Sequence, residues 1–183
     1  MLRILLSGGP GSGCTSTALA LSQHLRLPVF DSDTYFHKPT NPPFQEQFTP
    51  EERRSLLSAA LSAESNWILS GSVALWGIHP LQPTHGIFLN TPREVRLERL
   101  LQRQRSQFGA RIDAGGDMHD EHESFMQWAA GYEVRTGAGR NQMTDRAFLV
   151  ARCGKFLELE DCGKVEDVIA RIAGFIQNEI PEE

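Results

Sequence analysis

Apolar and polar positions alternate in blocks along this chain, and the blocks change period. Arg3–Leu6 is a short apolar run that stops at Gly8, the signature of a buried strand. From Thr15 to Arg26 the spacing turns helical, with Leu19, Leu21 and Leu25 among alanines, and Pro28 ends it. Val29–Phe30 begins a second strand that leads into D-S-D. The stretch 34–49, with Pro39, Pro42 and Pro43, predicts a loop. Thr49, Pro50 and Glu52 form a capping box with proline at the first helical position, so a helix starts there. Trp67–Leu69 predicts a third strand ending at S-G-S, and His85–Asn90 a fourth. Thr91 to Glu94 repeats the capping-box spacing and opens a long helix to about Gln107. Residues 108–119 carry glycines and charges without a period and predict a mobile loop. Helices are expected over Glu121–Tyr132 and Gln142–Arg152, and a fifth strand over Phe156–Leu159. Val165, Val168, Ile169, Ile172 and Ile176 mark a closing amphipathic helix.

Strand and helix thus alternate five times. That pattern predicts an α/β fold with a parallel sheet and helices on both faces, a three-layer α/β/α arrangement. In such sheets ligands bind outside the carboxyl ends of the strands. The chemistry-bearing residues gather there: Gly8–Thr15 after the first strand, Asp31 and Asp33 after the second, Ser70–Ser72 after the third, and Asn90 after the fourth.

Composition narrows the picture. The chain has 183 residues, enough for one domain with a sizeable core; 40% are hydrophobic and 22% charged, ordinary values for a globular protein. We expect a single domain over 1–183, with an acceptor-side insert near 34–64 and a lid near 106–120. A formal net charge of −5 argues against nucleic acid polymers or an anionic membrane as partners. No segment approaches the roughly 18 apolar residues a bilayer span needs. Lysine occurs only at 38, 155 and 164, so nearly all positive charge is arginine, whose planar fork pairs bidentately with phosphate. Cys14, Cys153 and Cys162 fit neither a disulfide framework nor a zinc knuckle, and a reducing cytoplasm is the simplest location. Oligomeric state leaves no mark on the sequence.

The sharpest motif is S-G-G-P-G-S-G-C-T-S, Ser7 to Ser16. Gly8 and Gly13 stand five apart and Thr15 follows, as in the phosphate-loop pattern G-x-x-x-x-G-K-[ST], but Cys14 occupies the lysine position. Glycines let successive amides form an anion nest, the following helix adds its positive end, and Thr15 offers a hydroxyl for Mg²⁺. Gly8, Gly9, Pro10, Gly11, Ser12, Gly13, Cys14, Thr15 and Ser16 are therefore the candidate ATP-binding segment. Asp31 and Asp33, two apart, would share one face if the strand persists through them. One carboxylate then serves a metal and the other an acceptor hydroxyl.

G-G-P-G-S-G resembles the phosphate loop of adenylate kinase and other nucleoside monophosphate kinases. F-D-S-D, from Phe30 to Asp33, resembles the second strand end of shikimate- and gluconate-type kinases. H-G-I-F-L-N-T-P-R-E-V-R-L-E-R-L-L-Q-R, from His85 to Arg103, resembles the fourth-strand segment leading to the lid in both groups. The resemblance implies a P-loop kinase core with strand order 2-3-1-4-5, ATP and Mg²⁺ as cofactors, and a small-molecule phosphate acceptor, with a nucleoside monophosphate among the options. It assigns Asp31 and Thr15 to the metal side and Asp33 to the acceptor. It puts Arg99 near the base, and Arg103 and Arg111 near the phosphates, where they would replace the missing lysine charge. Arg105, Arg135 and Arg140 are further cationic candidates.

Other readings stay open. Trp76, Tyr35 and Phe36 are candidates for stacking on a base, and Gly71 for close approach of backbone to ligand. His119 and His122, with Asp117 and Glu121, have the composition of a metal site. Cys14 at a helix start has the setting of a redox-sensitive thiol. The rival to a kinase is a P-loop nucleotide-binding protein with little or no phosphoryl transfer. A simple NTPase fits less well, because the third and fourth strands end in Ser70 and Asn90 and not in the usual aspartate.

Overall fold

The computed structural model describes residues 1–40, 45–78, 81–160 and 163–177. Pro42, Pro43 and Cys162 lie outside the described residues. Five strands form one parallel sheet: β1 (Arg3–Gly8), β2 (Val29–Asp31), β3 (Trp67–Ser70), β4 (His85–Asn90) and β5 (Lys155–Glu160). Their order across the sheet is β2-β3-β1-β4-β5. Among the described residues the helices are α1 (Cys14–Leu25), α2 (Ser32–Phe36), α3 (Pro50–Ser62), α4 (Arg93–Phe108), α5 (His119–Ala130), α6 (Gln142–Arg152) and α7 (Val165–Gln177).

The pleat of β1 explains the three layers. Ile4 and Leu6 point to one face, where they pack with Ala18 and Leu21 of α1 and with Val168 and Ile172 of α7. Leu5 points to the other face and joins Leu57 and Leu61 of α3 and Leu149 of α6. A central strand buried on both sides must be apolar throughout, which is why Arg3–Leu6 reads as a run rather than an alternation. Leu21 is fully buried, whereas Leu19, two residues away, is exposed and lies off the packing face of α1.

Register brings the strand ends together. Asp31 pairs with Ser70 across β2 and β3, Leu6 with Ser70 across β3 and β1, and Gly8 with Leu89 across β1 and β4. The carboxyl ends of four strands therefore open onto a common edge.

Four expectations need correction. The 34–49 stretch is not all loop: β2 stops at Asp31 and α2 starts at Ser32, because the Asp31 side chain accepts from the Asp33 amide and caps the turn. Asp31 and Asp33 are consequently not on one strand face. Thr91 does not cap α4; its N-cap is Pro92, and the Thr91 hydroxyl instead donates to the Ser12 carbonyl at 3.0 Å. The stretch 108–119 contains a 3-10 turn at Gly109–Ile112, and α5 begins at His119, two residues early. The capping box on α3 forms as expected, with Thr49 and Glu52 reciprocally bonded.

Candidate functional site

Between β1 and α1 the chain turns through Gly9–Gly13. Gly11 and Gly13 have φ of +82° and +96°, values that suit glycine alone. The Ser12 amide closes back on the Gly9 carbonyl at 2.9 Å. Space is tight behind the loop. A Cβ on Gly8 would lie 2.6 Å from the Leu89 carbonyl oxygen, and one on Gly9 would lie 2.8 Å from the Tyr132 ring. In front it is open, since a Cβ on Gly13 would meet nothing nearer than Arg99 at 3.7 Å.

α3 and α6 spend side chains on their N-terminal amides, but α1 does not. Its N-cap is Gly13, with no side-chain cap and no acid in the first turn. Its first-turn N–H groups lack intrahelical partners by geometry. Together with the helix dipole they suit an anion. Cys14 is half-buried, and its sulfur lies 3.3 Å from the Ser12 hydroxyl. Thr15 and Ser16 are exposed at the helix start. The Thr15 hydroxyl donates to Asp31 Oδ2 at 2.7 Å, an oxygen pair whose chemistry suits a hard divalent cation. The cradle and the donor set thus fit a nucleotide phosphate and Mg²⁺.

Asp33 opens onto the same edge. Its carboxyl is pushed up from the ordinary aspartate value, first by loss of solvation within the cleft and then by the neighbouring Asp31 charge; Arg140, His37 and Arg103 pull it back. The side chain retains an exposed surface, so the cleft is open rather than sealed. His37 is pushed below its usual value by desolvation, with Arg53 adding to the effect and Asp33 opposing it. The charges of Arg140 and Arg103 thus bear on one carboxylate at the strand ends.

The structure separates the arginines into distinct settings. Arg103 is exposed and its charge reaches Asp33. Arg99 Nη1 lies 3.4 Å from the Ser12 carbonyl. Arg111 is turned to Asp117, with contacts of 2.9, 3.3 and 2.8 Å, and both side chains are exposed. Arg105 pairs with Asp113 at 2.5 Å. Arg135 braces its own turn through the Arg140 and Trp128 carbonyls.

Several sequence candidates have other partners. Trp76 is buried and lies 6.1 Å from half-buried Phe36, and the Arg53 guanidinium stands over both rings. Tyr35 packs at the edge of the same cluster. Gly71 comes close to Ser32: a Cβ there would sit 1.9 Å from the Ser32 hydroxyl. His119 contacts the Ile112 carbonyl and His122 contacts Gln104, and no cluster of three metal-ligating side chains occurs among the described residues.

Sequence reasoning missed Arg96 and Asp145 behind the loop, and named Arg140 only as one further cation among several. Arg96 is almost fully buried; it donates to the Pro10 carbonyl at 2.7 Å and pairs with Glu133. Arg140 Nη2 donates to the Gly8 carbonyl at 2.8 Å. Asp145 is buried and accepts from Ser72 at 2.5 Å and from Tyr132 at 2.9 Å. Arg96 does carry a sequence signal. It lies four residues before Leu100, on the one buried stripe of an otherwise charged helix.

No family model matches the chain. It is 28% identical over 181 residues to the uncharacterized protein YqaC of Bacillus subtilis, covering 96% of this chain and 97% of that one. Solved structures resemble it over nearly full length. Shikimate kinase from Acinetobacter baumannii, in complex with shikimate, has a TM-score of 0.55 at 14% identity and covers 100% of this chain and 97% of its own. Shikimate kinase from Bacteroides thetaiotaomicron has a TM-score of 0.52 at 22% identity, with coverage of 96% and 98%. A gluconokinase from Sinorhizobium meliloti has a TM-score of 0.51 at 15% identity, with coverage of 98% and 97%. With its parallel sheet in the order β2-β3-β1-β4-β5 and its glycine loop between β1 and α1, the chain has the P-loop kinase fold.

Proposed function

We propose that this protein is a small-molecule kinase that transfers the terminal phosphoryl group of ATP to a hydroxyl of a small polar acceptor. One observation carries the reading. Asp33, a carboxylate on which the Arg103 and Arg140 charges bear, follows the end of β2, beside the Thr15–Asp31 pair and the start of α1, which no side chain caps. Phosphoryl transfer needs little covalent chemistry from the protein and depends on positioning and charge.

In this reading the loop from Gly8 to Ser16 holds the phosphates through its amides and the first turn of α1. Thr15 and Asp31 would hold Mg²⁺, which supplies charge neutralisation at the phosphates. Arg99 stays near the loop and the base. Arg103, exposed and without a hydrogen bond or ion pair among the described residues, is available to the phosphates. Arg111 joins only after exchanging Asp117 for phosphate. Asp33 accepts the proton of the acceptor hydroxyl or orients it. Its raised basicity makes it a better proton acceptor than an ordinary aspartate.

The acceptor is more consistent with a polyol or hydroxy acid than with a nucleoside monophosphate. Of the three aromatics at the acceptor side, Trp76 is buried, Tyr35 packs against the core and Phe36 carries the Arg53 guanidinium on its ring. The neighbours of known activity act on shikimate, sugars and gluconate as their names state.

Cys14 favours a second reading, a nucleotide-binding protein without transfer. A coupled assay of ADP release across polyols, hydroxy acids and nucleoside monophosphates separates the two. Acceptor-dependent ADP release supports the kinase. Tight ATP binding without ADP release on any member of the panel supports the binding protein.

A further inference from the structure

Three alternate carbonyls of the phosphate loop are held from outside. Gly8 accepts from Arg140, Pro10 from Arg96, and Ser12 from Thr91. Each carbonyl belongs to the same peptide unit as the next residue's amide, so the groups polarised are the N–H donors of Gly9, Gly11 and Gly13. A cationic donor on a carbonyl draws electron density from its peptide and strengthens the amide as a donor, since linked hydrogen bonds reinforce one another. The amides so strengthened are those of the glycine loop.

The two arginines are themselves fixed. Arg96 pairs with Glu133 and lies 5.4 Å from the Tyr132 ring centroid; Arg140 lies 6.0 Å from the same ring on its way to Gly8. Arg140 Nε is 3.4 Å from Asp145 Oδ2, and Asp145 is anchored by the Ser72 and Tyr132 hydroxyls. Burial and the Asp145 charge push the Tyr132 phenol far above its usual value, so it remains a donor. Arg140 is 26% exposed, unlike buried Asp145, and its charge reaches Asp33. It therefore touches the loop on one side and the cleft on the other.

We propose that Arg140, positioned by Asp145, supplies at the phosphate loop the cationic contact that Cys14 cannot supply. The charge that a lysine would bring from inside the loop comes instead through the Gly8 peptide and across the cleft. Arg96 performs the same service at Pro10 from a fully buried position. The proposal rests on the reading of Gly8–Ser16 as a phosphate-binding loop.

The test is a double-mutant cycle read by calorimetric binding of MgATP and of tripolyphosphate. Arg140→Met should weaken binding by about tenfold or more, the scale of a lost charge-assisted hydrogen bond. In a Cys14→Lys background the same change should cost less than about threefold, because the lysine takes over the charge. Asp145→Asn should weaken binding in the same background-dependent way, and Asp145→Glu should recover part of it. Melting curves accompany each variant. If Arg140→Met does not fold, Arg140→Gln, which keeps a donor but loses the charge, is put through the same comparison. Equal losses with Cys14 and with Lys at position 14 overturn the proposal and leave the kinase reading untouched. Background-dependent loss with no phosphoryl transfer on any acceptor sinks the kinase and leaves the proposal standing. A wild-type protein that binds neither ligand overturns both.

Discussion

Thr15 and Asp31 join α1 to the end of β2 through a 2.7 Å hydrogen bond, and the other oxygen of Asp31 accepts from the Asp33 amide at 2.9 Å. One carboxylate thus faces the phosphate loop and starts the helix that carries Asp33. Both oxygens are committed before any ligand arrives, which fixes the orientation of the pair.

Asp31→Asn should therefore separate metal from nucleotide. We expect the Mg²⁺ concentration needed for half-maximal ATP binding to rise about tenfold, the lower end of the scale for losing a group that orients a metal ligand, here the Thr15 hydroxyl. ATP binding without Mg²⁺ should change little. A titration of binding against Mg²⁺ checks this; an unchanged midpoint removes Asp31 from the metal side.

Asp33→Asn should lower kcat by about 10²–10⁴-fold while ATP affinity holds. The same change should raise the melting temperature at neutral pH. The folded state lifts the carboxyl pKa, so the protonated form is favoured there. That contribution is complete below the unfolded value and is lost as pH rises through the higher folded value. At pH 7 the ionised group opposes folding, and asparagine relieves it. The acid limb of the rate profile should fall at higher pH than for an unperturbed aspartate. A lower melting temperature for Asp33→Asn would contradict this account.

Gly9→Ala and Gly13→Ala should fail for different reasons. At Gly9 the new Cβ meets the Tyr132 ring at 2.8 Å and Arg96 at 2.9 Å. We expect a cost of about 1–3 kcal/mol from overpacking, visible in thermal melting, together with weaker ATP binding. At Gly13 space is open but φ is +96°, so the cost is backbone strain of about 1–2 kcal/mol. Equal stability of wild type and Gly9→Ala would show that the loop is looser than its contacts.

Asp117→Asn should release Arg111. The pair is exposed, so the melting temperature should not move. KM for ATP should fall several-fold if Arg111 reaches the phosphates, and Arg111→Ala should raise it. Removing Arg103 and Arg111 together should cost more with Cys14 than with lysine at that position. An Asp117→Asn variant with unchanged KM places Arg111 outside the reaction.

Much of the fold follows from the order of the residues. Apolar runs at Arg3–Gly8, Trp67–Ser70 and His85–Asn90, separated by helical periods, dictate a parallel sheet, because a strand buried on both faces has no polar side to show. The glycines at 11 and 13 mark the loop because their positive φ suits glycine, and Gly8 because Leu89 leaves no room for a side chain there. Caps were legible where side chain and amide lie within one turn, as at Thr49 and Glu52. They were misread where a long-range partner competed: the spacing of Thr91 and Glu94 matches a cap, yet Ser12 claims the Thr91 hydroxyl from 79 positions away. Only the tertiary structure decided which arginines serve the loop. Arg96, Arg99, Arg103 and Arg140 are alike in sequence, one charge each on a polar stretch. Their roles depend on which carbonyls and carboxylates folding brings within about 3 Å, a distance that no local spacing encodes. The lysine missing at position 14 is a fact of sequence. The cations near the loop come from α4 and from the turn before α6, and only the packing of α4 against the glycine loop and of α6 against β1 puts them there.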